Sequence, residues 1–305
     1  MLHLHFLRGL RRSLASTTAL SACLLTLSCH GQSSTRSQAA SAHIDSTTLR
    51  GDTLELIFAG DIMTHGPQIR TAAQSDGSYD FSQSFSLVRP TIERADLAIG
   101  NLETTFGGKP YSGYPMFSSP EALAVALREA GFDVLTTSNN HSCDRRGYGI
   151  THTIDVLDSL GIATTGSYRN LSERPARTPL IQSVRGIKLA ILAYTYGTNG
   201  LPIPHPTVID TISKEHFAAD LRRADSLGAE YKIVQIHWGN EYEKSPNRAQ
   251  RELAQWLADQ GVDAVIGSHP HVVQESTHLQ GQNTQRGETF VIYSMGNFIS
   301  NQITP

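Results

Sequence analysis

The stretch VDAVIGSHPH, residues 262–271, decides the fold class of this chain. Its apolar run, bounded by Gly261 and Gly267, predicts a buried strand of an α/β sheet. The strand leads to His269 and His271, which are two residues apart, so extended backbone would turn both imidazoles to the same side. Neutral imidazole is the commonest metal ligand in proteins, and ligands of open α/β folds gather beyond the carboxyl ends of strands. An isolated pair of this kind can equally be two surface histidines in a loop.

Four other apolar runs also end in side chains that bind metals. Leu54–Ala59 leads to Asp61, 96–100 leads to Asn101 and Glu103, 132–137 leads to Asn140 and His141, and 231–236 leads to His237 and Glu241. Because strand ends of a layered α/β domain meet at one edge, we expect these side chains to lie close together.

Helical patterns alternate with the strands and predict a layered α/β domain over residues 51–305. The stretch 81–94 has helical spacing, and Ser119 is the expected N-cap of a helix that runs to Ala130. Residues 64–80 are expected to form a polar loop. The chain stops soon after the strand-like stretch 289–294, so we expect a domain truncated at its C-terminal end.

The composition is that of an ordinary globular protein. Of the 305 residues, 39% are hydrophobic and 17% are charged, and the net charge is −3. This balance gives no electrostatic reason to expect a nucleic-acid partner. Cys143 is the only cysteine of the predicted domain, so no disulfide can form within it.

Residues 1–29 have the shape of a secretory signal peptide. Arginines at 8, 11 and 12 precede a moderately apolar run at 14–27, which is too short and too rich in Ser and Thr for a convincing membrane-spanning helix. Residues 30–50, rich in Ser, Thr, Gln and Ala, predict a disordered tether that holds the domain away from a membrane. We therefore expect an exported protein of the cell envelope.

Two cysteines in this region are candidates for lipid attachment, which would make the chain a membrane-anchored lipoprotein. Cys23 follows Leu20-Ser21-Ala22, a lipoprotein signal pattern, whereas Cys29 lies where the apolar run ends. Ordinary signal cleavage without a lipid is the third possibility.

The side chains at the strand ends predict a metal centre. Two carboxylates, one amide oxygen and three imidazoles are enough for two divalent ions that share a bridging carboxylate. Mixed nitrogen and oxygen ligands suit Mn, Fe, Zn or Co, and paired metals favour phosphoester hydrolysis. The six predicted ligands are Asp61, Glu103, Asn140, His237, His269 and His271.

Four neighbours of these ligands have expected roles. His141 is free to protonate a leaving oxygen as a general acid. Asn101 and Glu241 either orient the imidazoles or are ordinary surface groups. Arg145 either meets an anionic substrate or lies in a solvated loop.

Six motifs occur in an order that resembles a known family. They are GDIM at 60–63, NLE at 101–103, SNNH at 138–141, HWGNE at 237–241, GSHPHV at 267–272 and SMGNF at 294–298. They are similar to the motifs of the CapA-type capsule and poly-γ-glutamate synthesis family, a branch of the calcineurin-like metallophosphoesterase superfamily. The resemblance covers about residues 54–302. It implies a four-layer αββα sandwich, one or two divalent metal ions at the strand ends, and an exported, surface-attached protein.

The sequence departs from the superfamily pattern at two positions. The superfamily opens with an Asp-x-His pair, but Met63 stands where the His is expected, and His65 comes two residues too late. Glu103 stands where the superfamily uses Asp. We therefore expect one of the two metals to be weakly held or absent.

These observations predict a metal-dependent hydrolase that acts on a phosphoester or an anionic cell-surface polymer. The alternative is a non-catalytic binding or tethering component of a capsule export assembly, with capsule synthesis or export proteins as partners. A third hypothesis, a nucleotidase-type phosphatase, expects a base-stacking pocket that Tyr111, Tyr114 and Phe117 could supply.

Overall fold

The computed structural model of the chain describes residues 1–7, 53–284 and 287–302. Most of the predicted signal peptide, both candidate lipid-bearing cysteines and the predicted tether lie outside the described residues.

The strands are β1 (Leu2–Leu7), β2 (Thr53–Ile62), β3 (Leu97–Leu102), β4 (Val134–Thr136), β5 (Ala163–Thr165), β6 (Ser167–Tyr168), β7 (Leu180–Val184), β8 (Ile187–Thr195), β9 (Val208–Ile209), β10 (Tyr231–His237), β11 (Ala264–Ser268), β12 (Ser276–Gln280), β13 (Glu288–Ile292) and β14 (Asn297–Ile299). The helices are α1 (Gly66–Ala72), α2 (Ser82–Phe85), α3 (Arg89–Ile92), α4 (Ala122–Glu129), α5 (Arg146–Ser159), α6 (Arg174–Arg177), α7 (Lys214–Ser226) and α8 (Arg248–Asp259).

Two six-stranded sheets form the centre of the fold. The first has the order β1-β2-β3-β4-β5, and β14 pairs with the end of β2. The second has the order β12-β13-β11-β10-β8-β7. Strands β2, β3 and β4 are parallel, as are β8, β10 and β11, so each sheet brings several carboxyl ends to one edge. Strand β1, which falls within the predicted signal peptide, pairs antiparallel with β2.

Three apolar clusters hold four layers together. Between the sheets, Leu56 and Phe58 of β2 belong to one cluster with Ile191 of β8 and Ile233 of β10. The outer face of the first sheet packs against helices that include α4 and α5, and the outer face of the second packs against α7 and α8. Burial of this apolar surface is the main stabilising contribution. The predicted four-layer αββα sandwich is confirmed.

Three local predictions were wrong. Residues 64–80 contain helix α1, and the stretch 81–94 forms two short helices, α2 and α3, instead of one. Helix α4 begins at Ala122, and its N-cap is Glu121. The Ser119 hydroxyl contacts those of Thr64 and Thr104, so it does not cap the helix.

A buried ionic network joins the small β6-β9 sheet to helix α7. Arg174 donates to Asp210 at 2.6 Å and to Asp220 at 2.5 Å, and the Tyr168 hydroxyl donates to Asp210 at 2.5 Å. Both aspartates are buried, so the guanidinium is the cation that compensates them. Among the described helices none is long and apolar enough to span a membrane.

Candidate metal centre

The six predicted ligands meet where the two sheets open to the same edge. The first sheet supplies Asp61 at the end of β2, Glu103 directly after β3, and Asn140 in the turn after β4. The second sheet supplies the three histidines, one at the end of β10 and two directly after β11. All six side chains are buried.

Short contacts link the ligands of the two sheets. His237 Nε2 lies 2.9 Å from Asn140 Oδ1 and 3.5 Å from Glu103 Oε1. His271 Nδ1 lies 3.3 Å from Asp61 Oδ2. The ligand atoms of Asp61, Glu103 and His237 lie within 4.8 Å of one another, as do those of Glu103, His269 and His271. Glu103 belongs to both groups, so it is the carboxylate placed to bridge two ions.

Glu103 is the chemically unusual member of the set. Its side chain is 0% exposed, yet neither of its oxygens has a hydrogen-bond partner among the described residues. Burial, followed by the charge of Asp61, raises the pKa of this carboxyl well above its usual range. An unpaired buried carboxylate is strongly disfavoured. A divalent cation would compensate it, and the nitrogen and oxygen donors around it suit such an ion.

Two of the three imidazoles are held in the neutral form that metal ligation requires. Burial, together with the charge of His269, holds the pKa of His237 well below its usual range. Burial also lowers the pKa of His269 to about 4, and its buried Nδ1 has no hydrogen-bond partner. Burial lowers the pKa of His271, but the hydrogen bond and the charge of Asp61 outweigh it and raise that pKa overall. His237 and His269 are therefore neutral at pH 7, as an imidazole that binds a metal must be.

The backbone at the two later histidines differs from the prediction. His269 has φ 97° and His271 has φ 58°, so both are left-handed where extended backbone was expected. Residues other than glycine rarely adopt this conformation, and when they do they cluster at functional sites. The two imidazoles converge because the chain turns sharply at each histidine.

Asn101 and Ser268 hold the ligands in position. Asn101 Nδ2 donates to Asp61 Oδ1 at 2.8 Å and lies 3.4 Å from His237 Nδ1. The Ser268 hydroxyl lies 3.1 Å from the same His237 nitrogen. Asn101 therefore contacts two of the predicted ligands, as a residue that orients an imidazole would. Ser268 was missed, although it directly precedes His269.

His141 is buried beside the ligands and is oriented from behind. Its Nδ1 lies 2.7 Å from Asp144 Oδ2, which also accepts a 2.6 Å hydrogen bond from the Phe117 amide. The Phe117 ring stands edge-on to the imidazole with centroids 4.6 Å apart. His141 Nε2 forms no hydrogen bond with any described residue. Asp144 was not predicted, although its spacing of three residues from His141 could have suggested it.

Tyrosines and an acidic residue surround the centre. The Tyr196 ring lies 4.6 Å from that of His269, and the Tyr242 ring lies 6.1 Å from that of His271. Glu241 is exposed on the loop after β10, and its charge contributes to the raised pKa of Glu103. Neither tyrosine was predicted, because no local pattern distinguishes them.

Two of the three aromatic residues and the arginine predicted near the substrate make contacts within the protein. Phe117 is fully buried, and the Tyr111 hydroxyl donates to Glu121 at 2.6 Å, so only Tyr114 of the predicted stacking residues is largely exposed. The base-stacking pocket drawn from these three residues is therefore wrong. Arg145 donates to the carbonyl of Pro110, which fastens the loop that follows β3.

The first motif lacks an imidazole, as the sequence indicated. Met63 is buried, and His65 belongs to neither of the two groups of converging ligand atoms found among the described residues. His65 instead accepts a hydrogen bond from the Asn301 amide at 3.2 Å, and its ring packs edge-on against Phe117.

Known bacterial proteins are similar to this chain. A profile described as "Bacterial capsule synthesis protein PGA_cap" matches residues 55–302. The "PGA biosynthesis protein CapA" of Bacillus subtilis (strain 168) is 29% identical over 271 residues, which cover 84% of this chain and 65% of that protein. The "Capsule biosynthesis protein CapA" of Bacillus anthracis is 27% identical over 267 residues, which cover 82% of this chain and 60% of that protein.

The chain thus spans less than two thirds of the length of these two curated relatives. Among solved structures, the NAD nucleotidase of Haemophilus influenzae superposes with a TM-score of 0.45 at 15% identity, covering 70% of this chain and 38% of that one.

Proposed function

Since the chain belongs to the bacterial capsule synthesis protein family, we propose that its buried centre is a metal-dependent hydrolase site of the phosphoesterase type. It would serve the synthesis of a capsule or of poly-γ-glutamate, with a phosphoester or an anionic polymer as substrate. The observation that carries this proposal concerns Glu103, which both groups of candidate ligands share. Its buried carboxylate has no hydrogen-bond partner in the part of the chain that the structure describes.

The residues divide the chemistry between them. Asp61, Glu103 and Asn140 would hold divalent ions together with the three histidines, and such ions polarise phosphoryl oxygens and activate water. His141 would donate a proton from Nε2 to the leaving oxygen, because Asp144 occupies its Nδ1 and orients the ring. The buried surroundings strengthen these electrostatic interactions because they exclude water.

Metal content of the purified full-length chain is the first test. Elemental analysis should find transition metal in the wild type and a loss of it in an Asp61→Ala, His271→Ala double variant. An Asp76→Ala, His278→Ala variant is the matched control, because it removes one carboxylate and one imidazole from exposed positions. Absence of metal from folded wild-type protein, or equal loss in both variants, would refute the metal centre.

The proposed acid has a separate test. With metal restored, the wild type should hydrolyse a phosphomonoester or phosphodiester from a chromogenic panel. His141→Gln should keep its metal and lose about 100- to 10,000-fold in rate. A wild type that binds metal but turns over neither phosphoesters nor γ-glutamyl polymer would count against the hydrolase proposal.

A second candidate function is a non-catalytic component that binds or tethers an anionic polymer. Met63 favours this candidate, because it leaves the centre without the imidazole that a complete two-metal site of this superfamily is expected to have. The candidate predicts that immobilised protein retains poly-γ-glutamate in a metal-dependent way without cleaving it. Equal retention after chelation would contradict it.

We also propose that the chain is exported and anchored in the cell envelope through a lipid on Cys23 or Cys29. The arginines and the apolar run of the first 29 residues support export. Metabolic labelling with a fatty-acid analogue should mark the wild type, and either Cys23→Ser or Cys29→Ser should abolish the label. Persistence of the label in the double variant would refute both sites.

A further inference from the structure

The structure assigns a task to Asn297, which the preceding proposals leave unused. We propose that Asn297 is a positioning residue that fixes the tautomer of His271, so that this ring presents Nε2 to the metal. The inference rests on the proposed metal centre. It concerns which nitrogen of His271 binds and what keeps this ligand separate from Asp61.

The contacts of His271 Nδ1 determine where its hydrogen lies. Asn297 Oδ1 is 2.9 Å from this nitrogen, and Asp61 Oδ2 is 3.3 Å from it. An amide oxygen and a carboxylate can only accept, so Nδ1 must carry the hydrogen. In a neutral ring Nε2 then has the lone pair, and this atom is 3.9 Å from Glu103 Oε1, on the side of the bridging carboxylate.

A chain of hydrogen bonds holds the Asn297 amide with its oxygen toward the ring. Asn297 Nδ2 donates to Gln302 Oε1 at 2.7 Å, and Gln302 Nε2 donates to the Tyr242 hydroxyl at 3.1 Å. If the Asn297 amide were rotated by 180°, its Nδ2 would face His271 Nδ1, which would then have to accept with a lone pair. That lone pair would also face the Asp61 carboxylate, which is unfavourable. The nearby carboxylate therefore selects one direction for the whole chain.

The backbone delivers Asn297 to this point rigidly. Asn297 begins β14 and lies opposite Asp61 in the pairing of β14 with β2. On the other side, the Tyr242 amide donates to the Pro270 carbonyl at 2.8 Å, next to His271. Tyr242, like His271, has a left-handed backbone, with φ 64°. Asn297 and Tyr242, the two ends of the hydrogen-bond chain, are therefore both fixed by main-chain contacts.

Without Asn297, Asp61 would be the remaining acceptor for the His271 Nδ1–H. The imidazole would turn toward Asp61 Oδ2, and two ligands would bind each other instead of the metal. Loss of a group that orients a ligating histidine typically weakens metal binding by about 10- to 100-fold. Asn297→Leu should show a loss of this size.

The test combines two measurements on the full-length protein. Long-range ¹H–¹⁵N spectra of metal-free, histidine-labelled protein report the tautomer of His271, whose signals are assigned with a His271→Gln variant. Competition with a chromophoric chelator gives the affinity for Zn²⁺. The variants are Asn297→Leu, Asn297→Asp, which keeps an acceptor, and Asn301→Leu as a matched control from the same segment.

We expect His271 of the wild type to carry its hydrogen on Nδ1. Asn297→Leu should bind Zn²⁺ about 10- to 100-fold more weakly, whereas Asn297→Asp and Asn301→Leu should stay close to the wild type. An Nε2–H tautomer in the wild type would overturn the inference. So would Asn297→Leu protein that binds Zn²⁺ as tightly as the wild type, and in that case the metal centre itself would stand. A wild type that binds no metal would overturn the metal centre and this inference with it.

Discussion

Replacing Glu103 with Gln should stabilise the metal-free protein, although it removes a central ligand. Glu103 is fully buried, and burial, followed by the charge of Asp61, raises its pKa well above the usual range. Near neutral pH the carboxyl of Glu103 is ionised in the unfolded chain, and its raised pKa favours the protonated form in the folded protein. Folding therefore requires the uptake of a proton at this position. Gln has nearly the same shape and needs no proton, so Glu103→Gln avoids this cost.

The sign and size of the effect follow from proton linkage. Between the pKa of Glu103 in the unfolded chain and its raised pKa in the fold, the native state binds more protons, so stability falls as pH rises. The free energy of unfolding of the wild type should fall by up to about 1.4 kcal/mol per pH unit relative to the variant. From pH 5 to pH 7 the difference would reach at most about 3 kcal/mol in favour of Glu103→Gln.

Urea unfolding in the presence of a chelator, at pH 5, 6 and 7, measures this difference. Contributions from the histidines are common to both proteins and largely cancel in the comparison. Adding Zn²⁺ should reverse the order, because at about 100 times its Kd a ligand stabilises the fold that binds it by about 2.7 kcal/mol. The reasoning is refuted if metal-free Glu103→Gln is less stable than the wild type at pH 7, or if the difference does not change with pH.

Two further predictions concern the scaffold and use the same unfolding assay. Arg174→Met would leave the two buried aspartates of its network without their cation and should lower the free energy of unfolding by about 3–5 kcal/mol. Arg248→Met, on an exposed helix face, is the control and should leave the urea midpoint unchanged. Equal midpoints for the two variants would contradict the role of the network. A Cβ at Gly267 would overlap the carbonyl of Tyr293, so Gly267→Ala should cost about 1–3 kcal/mol or more. Gly197→Ala, at a position with open space around it, is the control, and an equal effect in both would refute the packing argument.

The strand ends of the site could be predicted from sequence because they combine two local signals. An apolar run such as 262–266 indicates a buried strand. The polar residues that follow the run identify the side chains at the carboxyl end of that strand. Parallel strands then bring such residues to one edge whatever their separation along the chain. For this reason Asp61 and Glu103 of the first sheet, and His237 and His271 of the second, could be placed together without any knowledge of the pairing.

The residues that orient the ligands could not be predicted in the same way. Asn297 is 26 residues from His271, and only the pairing of β14 with β2 brings them together. Tyr196 follows β8 and reaches His269 after β11, past the single intervening strand β10. Ser119 has the local pattern of an N-cap, but its hydroxyl contacts Thr64 and Thr104 instead. In each case a tertiary contact outweighs the local preference.

The two sheets contribute chemically different halves of the centre, and this division gives metal binding a structural consequence. The first sheet supplies the oxygen ligands, including the unpaired carboxylate of Glu103, and the second supplies all three imidazoles. The two halves already meet through direct contacts, such as the 2.9 Å contact between His237 and Asn140 and the 3.3 Å contact between His271 and Asp61. A cation bound by both halves would compensate Glu103 and connect the sheets at the edge where the apolar cluster between them ends. The site therefore couples ligand binding to the packing of the sandwich, because each sheet alone carries only half of the ligand set.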